Sequence, residues 1–123
     1  MNATNLAMAA YSTSGAHTQN DRATELDAFM RVTRRLKQTD PKKNYGEFVR
    51  ALHDNRQLWL LLAVDVADND NGLVEDLRAR IFYLAEFTRH HTSRILAGEE
   101  TAAALVDINT AIMAGLRPQG GVS

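Results

Sequence analysis

The sequence has no cysteine, and only two prolines and seven glycines occur among its 123 residues. Without cysteine, the chain has no disulfide framework, no thiolate zinc site and no cysteine nucleophile. The prolines and glycines fall between periodic apolar segments, apart from Gly46 and Gly115. Because both residue types interrupt helices, this distribution predicts an all-α protein, and the length predicts a single domain over residues 1–123.

Long apolar runs and catalytic signatures are also absent from the sequence. The longest apolar run, residues 58–64, has seven residues, whereas a membrane-spanning helix needs about 20. The N-terminal region lacks the basic segment of a secretory signal, so we expect a cytoplasmic protein with no membrane partner. No P-loop, Gly-x-Ser-x-Gly or Gly-x-Gly-x-x-Gly sequence occurs, and we therefore expect neither an enzyme nor a bound cofactor.

The net charge of −1 conceals an uneven distribution of charge along the chain. Residues 31–50 contain only two acidic residues beside a basic group, which consists of Arg31, Arg34, Arg35, Lys37, Lys42, Lys43 and Arg50. An acidic group follows, made of Asp65, Asp68, Asp70, Glu75 and Asp76. A basic helix can bind RNA phosphates, but Phe29 lies on the apolar face of this one and supplies no stacking surface. A solvated helix face is the favoured interpretation, and nucleic acid ranks second to protein as the expected partner class.

Apolar periodicity predicts a compact bundle of four to five helices. A short helix is expected over residues 4–12, and a second helix after the capping sequence at residues 18–21. The second helix has one apolar face, which carries Leu26, Phe29, Met30, Thr33 and Leu36. The third helix has two competing starts, since both Asp40-Pro41 and Asn44 suit a helix N-terminus.

The third predicted helix has the most apolar sequence of the chain. Its stripe, at steps of three and four, consists of Phe48, Leu52, Asn55, Trp59, Leu62 and Val66. Residues 58–64 are apolar on every side of the helix, which predicts that this is the central buried helix.

The fourth and fifth predicted helices follow the acidic group. The stripe of the fourth consists of Leu73, Leu77, Ile81, Leu84, Thr88, His91 and Ile95. Gly98 is expected to end it in the left-handed conformation. Glu99 and Glu100 are expected to open the fifth helix at the positive end of its dipole, and its stripe is Leu105, Ile108, Ile112 and Leu116. The ends, residues 1–17 and 117–123, are expected to be flexible.

The acidic group resembles a calcium-binding loop without completing one. Aligned with an EF-hand loop, Asn69, Asn71 and Gly72 occupy positions 3, 5 and 6, but Ala67 and Arg78 occupy the ligand positions 1 and 12. A cation in place of the bidentate glutamate cannot offset the charge of calcium. We therefore expect a turn that ends the third helix, and no effect of calcium on the melting temperature.

A second incomplete metal pattern lies on the fourth predicted helix. Glu86 and His90 stand one turn apart, which is the spacing of two ligands on a helix. A third ligand, such as His53, has to come from another element, because the adjacent His90 and His91 point in different directions. We expect histidines that are satisfied or solvent-facing, and no metal site.

Polar residues interrupt two of the apolar stripes. Asn55 and Arg56 precede Trp59 in the third predicted helix, and Asp107 and Asn109 lie within the fifth. The arginine could pair with an aspartate or cap a neighbouring helix, and these residues could also contact a partner. Both roles are open from the sequence alone.

Three short elements that include these polar positions occur in the same order in a known family. They are Asn55-Arg56-x-x-Trp59, Leu77-Arg78-Ala79, and Asp107-Ile108-Asn109 followed by Met113, Gly115 and Leu116. In order and spacing they resemble the FlaF family of flagellar biosynthesis regulators, over residues 55–116 and more weakly over residues 26–36. The loop before Leu73 departs from the family pattern, because Asn71-Gly72 stands where a proline is expected.

The resemblance implies a small, cytoplasmic, non-enzymatic protein that supports flagellin production and export. The expected partner is flagellin, bound through an amphipathic terminal helix by an export chaperone, and FlbT is a second candidate partner. The alternative is a post-transcriptional regulator of flagellin synthesis that acts through flagellin mRNA or FlbT. The family-motif or partner-binding positions are Asn55, Arg56, Trp59, Arg78, Asp107, Asn109 and Met113.

Overall fold

The computed structural model describes residues 19–67 and 75–116, and all regular secondary structure in these two ranges is helical. The four helices are α1 (Gln19–Gln38), α2 (Tyr45–Ala67), α3 (Glu75–Leu96) and α4 (Ala103–Leu116). This confirms the all-α prediction with four helices. The helix expected over residues 4–12, the two ends expected to be flexible, and residues 68–74 of the acidic turn lie outside the described residues. None of the four helices is long and apolar enough to cross a membrane.

Of the two predicted starts of the third helix, the structure has the one at Asn44. The amide of Glu47 donates to Asn44 Oδ1 at 3.2 Å, and the amide of Phe48 donates to the Asn44 carbonyl at 3.2 Å. Asn44 therefore caps α2, which begins at Tyr45. Asp40 instead forms a separate turn, in which its Oδ1 accepts from the amide of Lys42 at 2.9 Å.

Two apolar clusters form the core, and α2 contributes to both. The Trp59 cluster consists of Phe29, Trp59, Leu62, Ile81, Ile112 and Met113. The Phe48 cluster consists of Leu36, Phe48, Ala51, Leu52, Ile95 and Leu105. The predicted stripe of α2 is confirmed from Phe48 to Leu62, since every member of it in that range is buried. The side chain of Val66 lies outside the described structure.

The predicted stripe of α3 is also confirmed where it is described. Ile81, Thr88, His91 and Ile95 are buried, and Leu84 is half-buried. Two members of this stripe, Leu73 and the side chain of Leu77, lie outside the described structure.

His91 is a satisfied core histidine, as one of the two sequence interpretations expected. Its Nε2 lies 3.3 Å from the carbonyl oxygen of Thr101. Its ring stacks on Phe87, with centroids 5.2 Å apart and an interplanar angle of 14°. The histidine therefore joins α3 to the segment that leads into α4.

Gly98 ends α3 in the left-handed conformation, with φ of 81°. The amide of Glu99 donates to the Arg94 carbonyl at 2.9 Å, and the amide of Gly98 donates to the Ile95 carbonyl at 3.0 Å. These bonds satisfy carbonyl groups that the last turn leaves without helical partners. The predicted stop is confirmed.

Replacing Gly98 with alanine should lower the free energy of unfolding by about 1 kcal/mol, because a side chain strains the left-handed backbone. No atom lies within 4 Å of the added Cβ, so the backbone alone determines this effect. Gly46→Ala is the matched control, since its Cβ meets only Asn44 Oδ1 at 3.8 Å. Alanine there favours the helix and should be neutral or stabilising by up to about 1 kcal/mol. Urea denaturation measures the free energy of unfolding of both variants. Equal losses in the two would contradict the left-handed conformation of Gly98.

The predicted start of the last helix is wrong, because α4 begins at Ala103 rather than at Glu99. Glu99 and Glu100 lie in the connection and both pair with Arg94, at 3.4 Å from its Nε and 3.6 Å from its Nη2. Both carboxylates lie beside Arg94 of α3, and the amide of Ala103 at the start of α4 donates to Thr101 Oγ1 at 3.4 Å. Leu105 and Ile112 are nevertheless buried as predicted, and Ile108 is half-buried.

The prediction that α2 is buried on every side around residues 58–64 is also wrong in the described structure. Trp59 and Leu62 are buried, but Leu60, Leu61 and Val64 are 56%, 67% and 62% exposed. The reason is the packing of the bundle, because the principal neighbours of α2 are only α1 and α3. Met30 departs from its predicted burial in the same way and is exposed on α1.

Candidate partner-binding groove

An apolar groove of about 320 Å³ runs between α2 and α3. The residues that line it are Arg56, Trp59, Leu60, Ala63, Val64, Ala67, Phe82, Ala85, Glu86, Thr88 and Arg89. Leu60, Val64 and Ala67 face it together because they are spaced by four and three residues along α2. Leu60, Val64 and Phe82 are all exposed, so the walls of the groove present a continuous apolar surface.

The polar rim of the groove is built around an ion pair on α3. Arg89 Nη2 donates to Glu86 Oε2 at 2.9 Å, and Arg89 Nε donates to Glu86 Oε1 at 3.3 Å. The hydrogen bond from Arg89, together with its charge, lowers the pKa of Glu86 below its ordinary value. The same pair raises the pKa of Arg89. Both groups are therefore charged at neutral pH.

This ion pair bears on the metal pattern considered from the sequence. Glu86 directs its carboxylate to Arg89 rather than to a histidine. In the two ranges that the structure describes, no three acidic, histidine or cysteine side chains converge as metal ligands. The calcium pattern lies mostly in residues 68–74, outside these ranges, and its dismissal stays a prediction.

A buried polar network lies beneath the groove and joins α2 to α4. Trp59 Nε1 donates to Asn109 Oδ1 at 2.9 Å, and Asn109 Nδ2 donates to Asn55 Oδ1 at 2.7 Å. Both asparagines are fully buried. The network fixes the plane of the indole, which meets Phe29 edge to face with centroids 5.9 Å apart. Trp59 is thereby held as a rigid floor for the groove.

The seven predicted site residues divide into three sets. Asn55, Trp59 and Asn109 form the buried network, and Met113 lies in the Trp59 cluster. Arg56 is exposed at the rim of the groove. The other two lie apart from the groove lining, Arg78 half-buried on α3 and Asp107 exposed on α4.

The four polar residues that interrupt the predicted stripes divide into an exposed pair and a buried pair. Arg56 and Asp107 are both exposed. The pairing of Arg56 with an aspartate inside the core, which was considered from the sequence, is therefore not what the structure shows. The helical period explains this difference, because Arg56 and Asp107 are each adjacent to, rather than on, the stripe of their helix. Of these four residues, the two asparagines lie in the core.

Sequence reasoning missed the groove residues Leu60, Val64 and Phe82. The available signal was the excess of apolar residues on α2. Leu60 and Val64 lie off the stripe that packs the core, and apolar residues beyond the needs of the core can indicate an interaction surface.

The structure thus defines an all-α helical bundle with an open apolar groove between two helices. The chain belongs to the FlaF family, because the family described as flagellar protein FlaF matches it over residues 7–116. This confirms the family resemblance and extends it towards the N-terminus. Comparison with curated proteins and with solved structures gives no match.

Proposed function

We propose that this flagellar protein is a cytoplasmic, non-enzymatic chaperone that binds monomeric flagellin and promotes its production and export. The observation that carries the proposal is the open apolar groove between α2 and α3. Large apolar side chains that line a groove and remain exposed in a single chain mark a binding surface for another molecule. We expect a terminal segment of flagellin to form an amphipathic helix when it binds, and an amphipathic helix is a natural occupant of such a groove.

The length of the groove along α2 suits a helix. Its α2 wall extends from Arg56 to Ala67, which corresponds to about 17 Å along the helix axis at 1.5 Å per residue. A ligand helix of three turns fits this length and presents apolar residues at spacings of three and four. Burial of each large apolar side chain contributes about 1.5–3 kcal/mol. Three or four such contacts contribute about 5–12 kcal/mol, which offsets an entropic cost of association of similar size.

The rim of the groove gives the occupant an orientation. Arg56 lies on the α2 side, and the Glu86–Arg89 pair lies on the α3 side. Polar groups at the edge of an apolar interface contribute to register more than to affinity. The hydroxyl of Thr88, which lines the groove, has no hydrogen-bond partner among the described residues. A polar group of the bound helix can supply one when the Thr88 side chain turns towards the groove.

One observation favours the alternative, regulation through flagellin mRNA. Tyr45 is 54% exposed and follows Lys42 and Lys43, so a base could stack on its ring beside two cations. On α1, however, Arg31 pairs with Asp27 at 3.0 Å and Arg35 pairs with Asp54 at 2.5 Å. These pairs reduce the charge that α1 offers to phosphates, and flagellin is therefore the preferred partner.

Salt dependence distinguishes the two partners. If four basic residues neutralise phosphates of single-stranded RNA, log K falls with log salt at a slope near −3, or about fiftyfold between 50 and 200 mM. A flagellin helix in the apolar groove should keep its affinity within about threefold, because apolar burial is little affected by screening. Calorimetry with monomeric flagellin and with the 5′ region of its mRNA tests this. Tight, steeply salt-dependent RNA binding without flagellin binding would favour the regulator.

A further inference from the structure

A second pocket, of about 350 Å³, lies between α1 and α4 on a different surface from the apolar groove. It is lined by Met30, Thr33, Arg34, Lys37, Gln38 and Met113. Met30 is exposed and Met113 is buried, so the two methionines form an apolar wall and floor. Arg34 and Lys37 are exposed on its α1 side.

The charge of this pocket is unbalanced, in contrast to that of two other basic residues of α1. On the same helix, Arg31 and Arg35 have acidic partners in Asp27 and Asp54. No acidic side chain lines the α1–α4 pocket. Within the part of the chain that the structure describes, neither Arg34 nor Lys37 forms an ion pair. The pocket therefore presents two cations that are available to an external anion.

A buried hydroxyl in the pocket wall points to a ligand independently of the charge. Thr39, Thr92 and Thr110 each donate to the carbonyl four residues earlier, at 2.7, 2.7 and 2.8 Å. Thr33 is only 3% exposed, yet its Oγ1 has no hydrogen-bond partner among the described residues. A buried hydroxyl without a partner is unfavourable, and a polar ligand in the pocket relieves that cost when the Thr33 side chain turns towards the pocket.

We propose that the α1–α4 pocket binds an acidic segment of a partner protein. An aliphatic side chain of the segment enters between Met30 and Met113, and its carboxylates meet Arg34 and Lys37. Methionine side chains are flexible and polarisable, so they adapt to an aliphatic group. No aromatic residue lines the pocket, and a nucleic-acid base consequently finds no stacking surface there.

The terminal parts of the chain do not provide this acidic segment. Residues 1–18 and 117–123 contain no aspartate or glutamate. Because the α1–α4 pocket and the α2–α3 groove share no lining residue, one chain can hold an acidic segment and an amphipathic helix at the same time. The inference goes beyond flagellin binding, and its test does not use flagellin.

The probe is a fluorescein-labelled peptide of about ten residues, with glutamates flanking two leucines, followed by fluorescence anisotropy at low salt. The double variant Arg34→Glu with Lys37→Glu should weaken its binding by about tenfold or more, because it replaces two attractions with repulsions. Lys42→Glu with Lys43→Glu makes the same change of net charge at another site and should weaken binding by less than about twofold. Replacing the peptide leucines with serine should weaken binding by about fivefold, because the apolar anchor is lost.

A third variant tests the hydroxyl. Thr33→Val keeps the shape of the side chain and removes the unpartnered group, so it should not lower the melting temperature. Peptide affinity should fall by about threefold if the hydroxyl binds the ligand. Unchanged affinity would show that the hydroxyl has no part in recognition and would overturn that contact.

Four results would overturn the proposal as a whole. The first is absence of peptide binding at millimolar concentration, and the second is an equal loss of peptide affinity in the two double variants. The third is binding of oligouridylate through Arg34 and Lys37 that is tighter than binding of the peptide. The fourth is a dimer of this protein that Arg34→Glu dissociates. The second result would indicate bulk charge, the third an RNA site and the fourth a second copy of this chain. Circular dichroism should show that the charge variants keep the helical content of the unmodified protein, since the side chains that they replace are exposed.

Discussion

Trp59→Ala should lower the free energy of unfolding by about 3–5 kcal/mol, as truncation of a large buried aromatic residue does. Trp59 is 1% exposed and packs edge to face on Phe29. Alanine leaves a cavity in the Trp59 cluster, and the surrounding helices can relax into it only partly. It also removes the indole donor of Asn109 Oδ1, which leaves a fully buried amide oxygen without that hydrogen bond.

Urea denaturation followed by circular dichroism measures this loss. Fluorescence is unsuitable because Trp59 is the only tryptophan. Trp59→Phe serves as the control, since it retains most of the ring volume but not the hydrogen bond to Asn109. It should cost about 1–3 kcal/mol, the penalty of the unpaired oxygen. A loss below about 1 kcal/mol for Trp59→Ala would show that the side chain is not in the core.

Leu60→Asp should weaken flagellin binding by about a hundredfold, which corresponds to about 2.7 kcal/mol. The leucine lines the α2–α3 groove and is 56% exposed in the free protein. Aspartate removes the apolar contact and places a charge where the bound helix excludes water. Because the position is exposed before binding, the stability of the free protein should change by less than about 1 kcal/mol.

Leu61→Asp is the matched control for the groove. The two leucines are neighbours on α2, and Leu61 is even more exposed, at 67%. It faces the cleft between α1 and α2 rather than the α2–α3 groove. Its replacement makes the same change in charge and hydrophobicity and should alter flagellin affinity by less than about threefold. Equal losses of flagellin affinity in the two variants would show that flagellin contacts another surface, or that the added charge has a general effect.

The helices and their buried faces could be predicted from the sequence because apolar spacing reports directly on a helix face. Phe48, Leu52 and Trp59 on α2 are buried as their period predicts. Gly98 was also predictable, since a single glycine after the last stripe residue favours the left-handed stop. These features depend on local geometry, which one segment of sequence contains.

Features that depend on tertiary packing could not be predicted in this way. Spacing along α2 does not show which of its apolar faces a neighbour covers, so Leu60 and Val64 were expected to be buried. The contact between Asn55 and Asn109 joins residues that are 54 positions apart, and helical period says nothing about such pairs. Family resemblance identified both asparagines as motif positions, and the structure shows that they support Trp59 from within the core.

The family assignment and the proposed partner rest on different grounds. Membership of the FlaF family is shown by the match over residues 7–116. Flagellin binding is proposed from the shape and apolar character of the α2–α3 groove, and FlbT and flagellin mRNA stay alternative partners. The most informative experiment is therefore one that detects a flagellin helix directly.

That experiment is a calorimetric titration of the full-length protein with monomeric flagellin, intact and lacking one terminal helical segment at a time. The account predicts that intact flagellin binds, that deletion of one segment abolishes the binding, and that a peptide of that segment competes with the intact protein. Competition should fail with Leu60→Asp and persist with Leu61→Asp. Absence of binding to intact flagellin would contradict the proposal that the groove between α2 and α3 holds a flagellin helix. Undiminished binding of each of the two deletion variants would contradict it as well.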